Sequence, residues 1–517
     1  MKTGSLTDKV TYKRLAIMMT IFFVISLLPI IYCSFFDYAN GDDLWEGAAA
    51  YRVLVNNGTL KEFVSAVFEW AKVDYYGWEG NWSSIILWCL EPSIWGEKVY
   101  CITPYIALIA ICGGTIYFLN FFLKKTLACD NIFVTIIAII ACFFSIQYMP
   151  YVKSGIFWYT GMINYVFPYG LSLASFVWLE KFVKTGRWRY FLFSSLFYAY
   201  LGGVGYIPIV FAFEAMAMFI IIGLWKREKK EKVRTLFLLL PFAFLIIGFA
   251  FSAMSPGNAM RGGESYYFDI MRVLRTIIEC IWQGILNGVN NFLTVRPLVL
   301  IIPLVMIVTW EKIDTDKIQF SLEFKYVLST LVVLFLISCS VYAPGIYAQS
   351  EVSGGVPDTI FFIFLLTGIL AVIYITCYLK KYYLTKNYNY LNENSLKKIR
   401  SMIILGEILI CIFAGKYFVG NMSAYICYQY ISSGQLKDFE FQMQERLEIL
   451  HNPEITNVVL PEMNDEQGPF MHMPIIDDPE CYTNKATARF YGKESVIAIP
   501  RTEYYELYGY PEGEEEK

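Results

Sequence analysis

Apolar residues in this chain gather into long runs, separated by short polar strings. A run of about 20 apolar residues fills the hydrocarbon core of a bilayer as a helix. On that basis spans are predicted at 15–36, 99–123, 131–149, 162–180, 189–202, 206–225, 235–253, 296–310, 326–346, 358–379 and 401–420. The stretch Ile277–Leu293 has a helical apolar period and reads either as an interfacial helix or as a further crossing. Leu44–Leu54 and Leu60–Trp70 carry the same period and are expected to be helices lying along the membrane surface. The pattern changes after residue 420. Charges, prolines and short apolar runs such as Asn457-Val458-Val459-Leu460 predict a small mixed α/β domain over 421–517. The expected architecture is thus an α-helical polytopic membrane domain over 1–420, with a long loop at 37–98, followed by that small segment.

Composition agrees with lipid as the solvent. Of 517 residues, 56% are hydrophobic and only 17% charged, far more apolar surface than a soluble protein of this size can bury. The net charge of −3 argues against nucleic acid as a partner. The 12 cysteines lie mostly inside apolar runs without metal-ligand spacing, and two histidines make a histidine metal site improbable.

Basic residues fix the expected orientation, because Lys and Arg collect in cytoplasmic loops. Lys9, Lys13 and Arg14 precede the first run, which is too long for a signal-peptide core and is expected to remain as an anchor. Lys124-Lys125, Arg187 with Arg189, Lys226-Arg227 and Lys380-Lys381 mark other inner ends. The stretch 189–225 leaves and returns on a basic side, so it is expected to form a hairpin turning at Gly202-Gly203-Val204-Gly205. The N-terminus is then cytoplasmic and the C-terminus extracytoplasmic. Every unusual polar string falls on the outer side.

The candidate chemistry lies in those strings. Asp42 and Asp43 follow the first span, and ionisable groups held at a membrane face are functional candidates. Either can cap a helix beginning near Leu44, take a proton, or hold a divalent metal. The ligand set is too poor to predict a metal, and no cofactor is expected. Ser255-Pro256-Gly257-Asn258 is a turn by its chemistry, and with Arg261 it could offer Asn258, amides and a guanidinium to a phosphate. Lys153 is a second phosphate candidate. Trp158 to Tyr165 reads as an aromatic belt entering a span or as a sugar platform, with Trp158 stacking and Asn164 hydrogen-bonding. Trp78-Glu79-Gly80-Asn81 reads the same way. Glu214 lies inside an apolar run and needs a proton or a polar partner on another helix.

Taken in order, several strings resemble a bacterial membrane family related to the O-antigen glucosyltransferases, within the GT-C superfamily. They are Asn40-Gly41-Asp42-Asp43, Gly80-Asn81-Trp82, Trp158-Tyr159-Thr160-Gly161-Met162-Ile163-Asn164-Tyr165, Pro256-Gly257-Asn258 with Arg261, and Cys481-Tyr482-Thr483-Asn484-Lys485-Ala486-Thr487-Ala488-Arg489-Phe490-Tyr491-Gly492. The resemblance implies a transferase that takes its sugar from a polyprenyl-phosphate donor. The acceptor would be a cell-envelope glycan or glycolipid, with an acidic residue at Asp42-Asp43 as the base. Such proteins often carry an arginine where this chain has Asn81, so donor phosphate would fall to Arg261 or Lys153. The alternative is a transporter or flippase of lipid-linked saccharide, for which Glu214 and the glycine turn are the sequence cues.

Overall fold

A computed structural model describes residues 6–262, 269–348, 354–385, 393–464 and 466–509. It is a helical bundle with a membrane-protein character. Among the described residues, seven helices are long and apolar enough to cross a bilayer, the first being Thr11–Ser34 and the last Ser401–Gly420. An eighth crossing is obtained if Ile270–Thr294 and Leu298–Lys312, which meet at 95°, are taken as one bent pair. The expectation of about eleven spans is therefore not met by length alone. The physical reason is specific. Asn131–Gln147 and Phe324–Ser340 have 17 residues each, and Trp188–Leu201 has 14. At 1.5 Å per residue these reach only about 20–26 Å, short of a core about 30 Å thick.

The two ends of the bundle differ chemically. At one end Glu180 is held by both Lys125 and Arg227, while Lys184 pairs with Glu231. Two of the predicted basic ends, Lys124-Lys125 and Lys226-Arg227, thus meet at one end through Glu180. Between the ends, Glu214 accepts a hydrogen bond from the Ser340 hydroxyl at 2.8 Å, which supplies the interhelical partner its position demands. The predicted hairpin is present as Trp188–Leu201 and Tyr206–Lys226, joined through Gly202–Gly205.

The opposite end carries the polar strings. Helix α1 (Leu6–Ser34) leads into α2 (Asp42–Val55), α3 (Leu60–Gly77) and the short α4 (Trp82–Trp88). Thr59 starts α3 with a reciprocal capping box to Glu62. The expected cap of α2 is corrected. Gly41, at φ +52°, is the N-cap, and Asp42 and Asp43 are the first two helical residues with no side-chain cap bond.

Among the described residues the tail has one parallel pair of strands, β1 (Asn457–Pro461) and β2 (Ser495–Ile499), registered Val458 to Val496 and Leu460 to Ala498. Leu450, Val458, Leu460, Ala488, Val496 and Ala498 form its own small core. The tail is also bound into the main core, through Cys427, Tyr430, Phe439, Phe470 and Phe490. Its helix Tyr482–Tyr491 packs along α2, with Phe490 stacked on Tyr51 at 4.1 Å between ring centroids. Helix α2 is thus not a free surface helix, because the tail covers it, whereas α3 keeps Leu60, Val64, Phe68 and Val73 exposed.

Candidate functional site

The site grows from α2. Adjacent helical residues point about 100° apart, so Asp42 and Asp43 cannot act as one pair. Asp43 is completely buried. Its Oδ1 accepts hydrogen bonds from the Thr160 amide at 2.9 Å and the Thr160 hydroxyl at 2.6 Å, and its Oδ2 accepts one from the Tyr100 hydroxyl at 2.5 Å. Tyr100 in turn accepts from the Tyr159 amide at 3.0 Å. Burial drives the Asp43 carboxyl up to about 7, and the Thr160 and Tyr100 bonds pull against that rise. Asp43 therefore joins α2 to the 159–160 segment, with both of its oxygens engaged in hydrogen bonds.

Asp42 faces elsewhere. It is half-buried and accepts a hydrogen bond from the Tyr482 hydroxyl of the tail. One helical turn on, Glu46 shares that face and is buried. Its Oε2 accepts from the Trp70 indole at 2.8 Å. Burial and then the neighbouring Asp74 raise the Glu46 carboxyl well above its usual range, while Arg489 opposes the shift. The Arg489 guanidinium lies 3.4 Å from the Trp70 ring centroid and 4.7 Å from that of Trp45. Its backbone carbonyl accepts two hydrogen bonds from Arg52, 437 positions away in sequence. Asp42, Glu46 and Asp74 thus form an acidic cluster with one partly buried cation and two indoles. Among the described residues no group of three or more His, Cys, Asp or Glu side chains has the geometry to hold a metal.

The Gly80 string and the Pro256-Gly257-Asn258 string meet directly. The Gly80 amide donates to Asn258 Oδ1 at 3.0 Å, and Asn258 Nδ2 donates to the Ser252 carbonyl at 2.7 Å. Ser255 Oγ bonds the Tyr75 carbonyl, and Ser83 bonds the glycine turn through the Gly203 carbonyl at 3.0 Å. The assignment of Asn258 to phosphate is corrected here, because both ends of its amide are spent on backbone. Gly80 is required by this approach: a Cβ there would stand 1.9 Å from the Ser252 carbonyl oxygen. Gly80→Ala should cost about 1–3 kcal/mol, the usual penalty of overpacking. It should also lower the thermal midpoint of the purified protein.

The other sequence candidates divide. Asn81 is buried and donates to Glu79 Oε1 at 3.0 Å, so it braces the loop and is not open to a sugar. Asn164 is buried in the turn Met162–Val166, again closed to an external sugar. Trp158 lies with its ring against Gly161, and its indole nitrogen is buried without a hydrogen-bond partner among the described residues. Trp78 is exposed at the end of α3, and Lys153 is exposed on the short helix Val152–Gly155. Arg261 belongs to the helix Pro256–Gly262, and its side chain lies outside the described residues. Sequence reasoning did not single out Glu46, Asp74, Tyr100 or Thr160. For Glu46 the signal was present, four residues beyond Asp42. Tyr482 and Arg489 stand seven apart and share a helix face, which was also readable.

No protein-family model matches the chain, and no curated protein matches it.

Proposed function

We propose that the protein is a GT-C-type membrane glycosyltransferase, with its eleven apolar segments crossing the bilayer and its acidic cluster on the outer face. The donor is a polyprenyl-phosphate sugar and the acceptor a hydroxyl of an envelope glycan or glycolipid. Asp42 takes the acceptor's proton, and the acceptor oxygen attacks the anomeric carbon from the side opposite the phosphate. The carbon–oxygen bond to phosphate breaks, and the lipid phosphate leaves with the electron pair, inverting the centre. Asp43 holds α2 in place and does not touch substrate. Arg261 and Lys153 are the cations assigned to the leaving phosphate.

One observation supports this reading. Three of the strings, at residues 40–43, 158–165 and 481–492, meet around the head of α2, where Asp42 alone of the adjacent carboxylates remains partly open. The deciding experiment uses the purified protein in proteoliposomes with a labelled polyprenyl-phosphate sugar and an envelope glycolipid fraction. Lipid phosphate should be released only when acceptor is present. Movement of the intact labelled lipid across the bilayer, with its sugar bond unbroken, would replace the transferase with a flippase. Orientation has its own check. Single cysteines placed in 430–509 should react with a membrane-impermeant maleimide in intact cells. A cytoplasmic tail would put the acidic cluster on the wrong side for an outer-face acceptor.

A further inference from the structure

A second feature lies on the other side of the head of α2 and plays no part in the scheme above. Between α2 and the tail helix Gln435–His451 there is a cavity of about 50 Å³. Its wall is mostly apolar, and the polar groups in it include Asn40 at the head of α2, Arg446 of the tail helix and His472 of the loop before Tyr482–Tyr491, with Gly41 and Met473 beside them. Arg446 is only 5% exposed, yet its Nη2 has no hydrogen-bond partner among the described residues. A buried guanidinium without a counter-charge is costly, so such groups are ordinarily paired. The adjacent carboxylate, Glu445, is already taken: it pairs with Arg501 and accepts from the Tyr505 hydroxyl at 2.9 Å. Glu462 is the other acidic neighbour, close enough to act on Arg446 through space but not bonded to it.

We propose that this cavity is a binding site for a phosphate-class oxyanion, with Arg446 as its principal ligand. Three observations converge. The arginine fork offers paired N–H donors, which match an oxyanion's geometry. The cavity adjoins the N-terminal end of a 14-residue helix, where the helix dipole favours negative charge. The two carboxylates of that first turn do not line the cavity, being directed to Tyr482 and to Thr160 with Tyr100. The volume exceeds the space that one water occupies and suits a small tetrahedral anion. Gly41 is part of the design: its φ of +52° and the Met473 side chain packed against it leave no room for a Cβ. The anion can be free phosphate or the monophosphate headgroup of a lipid, since both present the same oxygens. The proposal does not depend on the transferase reading.

The test is binding, not turnover. Inorganic phosphate is titrated into the full chain in detergent at constant ionic strength, with chloride as the control, and affinity is taken from thermal-shift or calorimetric curves. Wild type should saturate with phosphate and not with chloride. Arg446→Gln should weaken phosphate binding about 10- to 150-fold, the worth of a charge-assisted hydrogen bond. Arg446→Lys keeps the charge without the fork and should fall between the two, which serves if the Gln variant does not fold. Nanodiscs containing a polyprenyl monophosphate identify the source. Competition with inorganic phosphate means a lipid headgroup, and its absence means the free ion. No saturable phosphate response in wild type, or an equal response in wild type and both variants, overturns the proposal.

Discussion

Asp42→Asn should lower sugar transfer at least about 100-fold, the lower end of what a general base contributes, while leaving the thermal midpoint nearly unchanged. The amide has the size of the carboxylate and can still accept the Tyr482 hydrogen bond, but it cannot carry away the acceptor's proton. Asp42 is not the N-cap of α2, which is Gly41, so removal of its charge puts at stake chiefly its interaction with the helix dipole, about 0.3–1 kcal/mol. Glu46→Gln separates a base from a neighbourhood effect. Glu46 is buried and already bonded to Trp70, so its loss should alter the field around Asp42 and shift the pH profile of transfer. It should not reproduce the Asp42→Asn loss. Near-normal transfer by Asp42→Asn would remove the catalytic assignment.

Asp43 should behave in the opposite way, as a stability residue. Asp43→Ala strands three buried donors, the Thr160 amide, the Thr160 hydroxyl and the Tyr100 hydroxyl. Each unsatisfied buried group costs about 1–3 kcal/mol, so the loss should be about 3 kcal/mol or more, visible as a large fall in thermal midpoint. The pH dependence has a definite sign. An aspartate in the unfolded chain ionises near pH 4, whereas native Asp43 keeps its proton to about 7. Its contribution is therefore complete below about pH 4 and declines as pH rises towards 7. The slope is at most about 1.4 kcal/mol per pH unit, and it flattens above 7. Wild type should lose midpoint across that interval, and Asp43→Asn should lose less. A wild-type curve flat between pH 5 and 7 would mean that the carboxyl titrates elsewhere.

Much of the fold was legible in the sequence, for a physical reason. Lipid-facing helices announce themselves by length and apolarity, so every predicted span is largely helical, although 235–253 and 326–346 are each divided between two helices. What the runs could not convey is which of them fall short of a bilayer's thickness, because loop residues such as Tyr148 and Met149 are as apolar as the helix they follow. The site was legible in its strings but not in its geometry. The Asp pair was visible, yet only the start of α2 decides that its members diverge. Asn258 and Asn81 looked like ligands because asparagine suits both turns and sugars, and the tie was broken by tertiary contacts from Gly80 and Glu79. Arg446 carried no signal at all, since it sits in an ordinary charged helix and becomes unusual only through its burial.

The contact between Asp42 and Tyr482 has a consequence for biosynthesis. The first half of the acidic cluster leaves the ribosome more than 400 residues before the hydroxyl and guanidinium that complete it. Until the tail helix docks, α2 has no Tyr482 beside Asp42 and no Arg489 beside Glu46, so a nascent or truncated chain stands in the bilayer with its carboxylates unmatched. The finished cluster is thus a record that translation reached the far end. A chain cut anywhere before Arg489 should insert in the membrane and remain chemically silent.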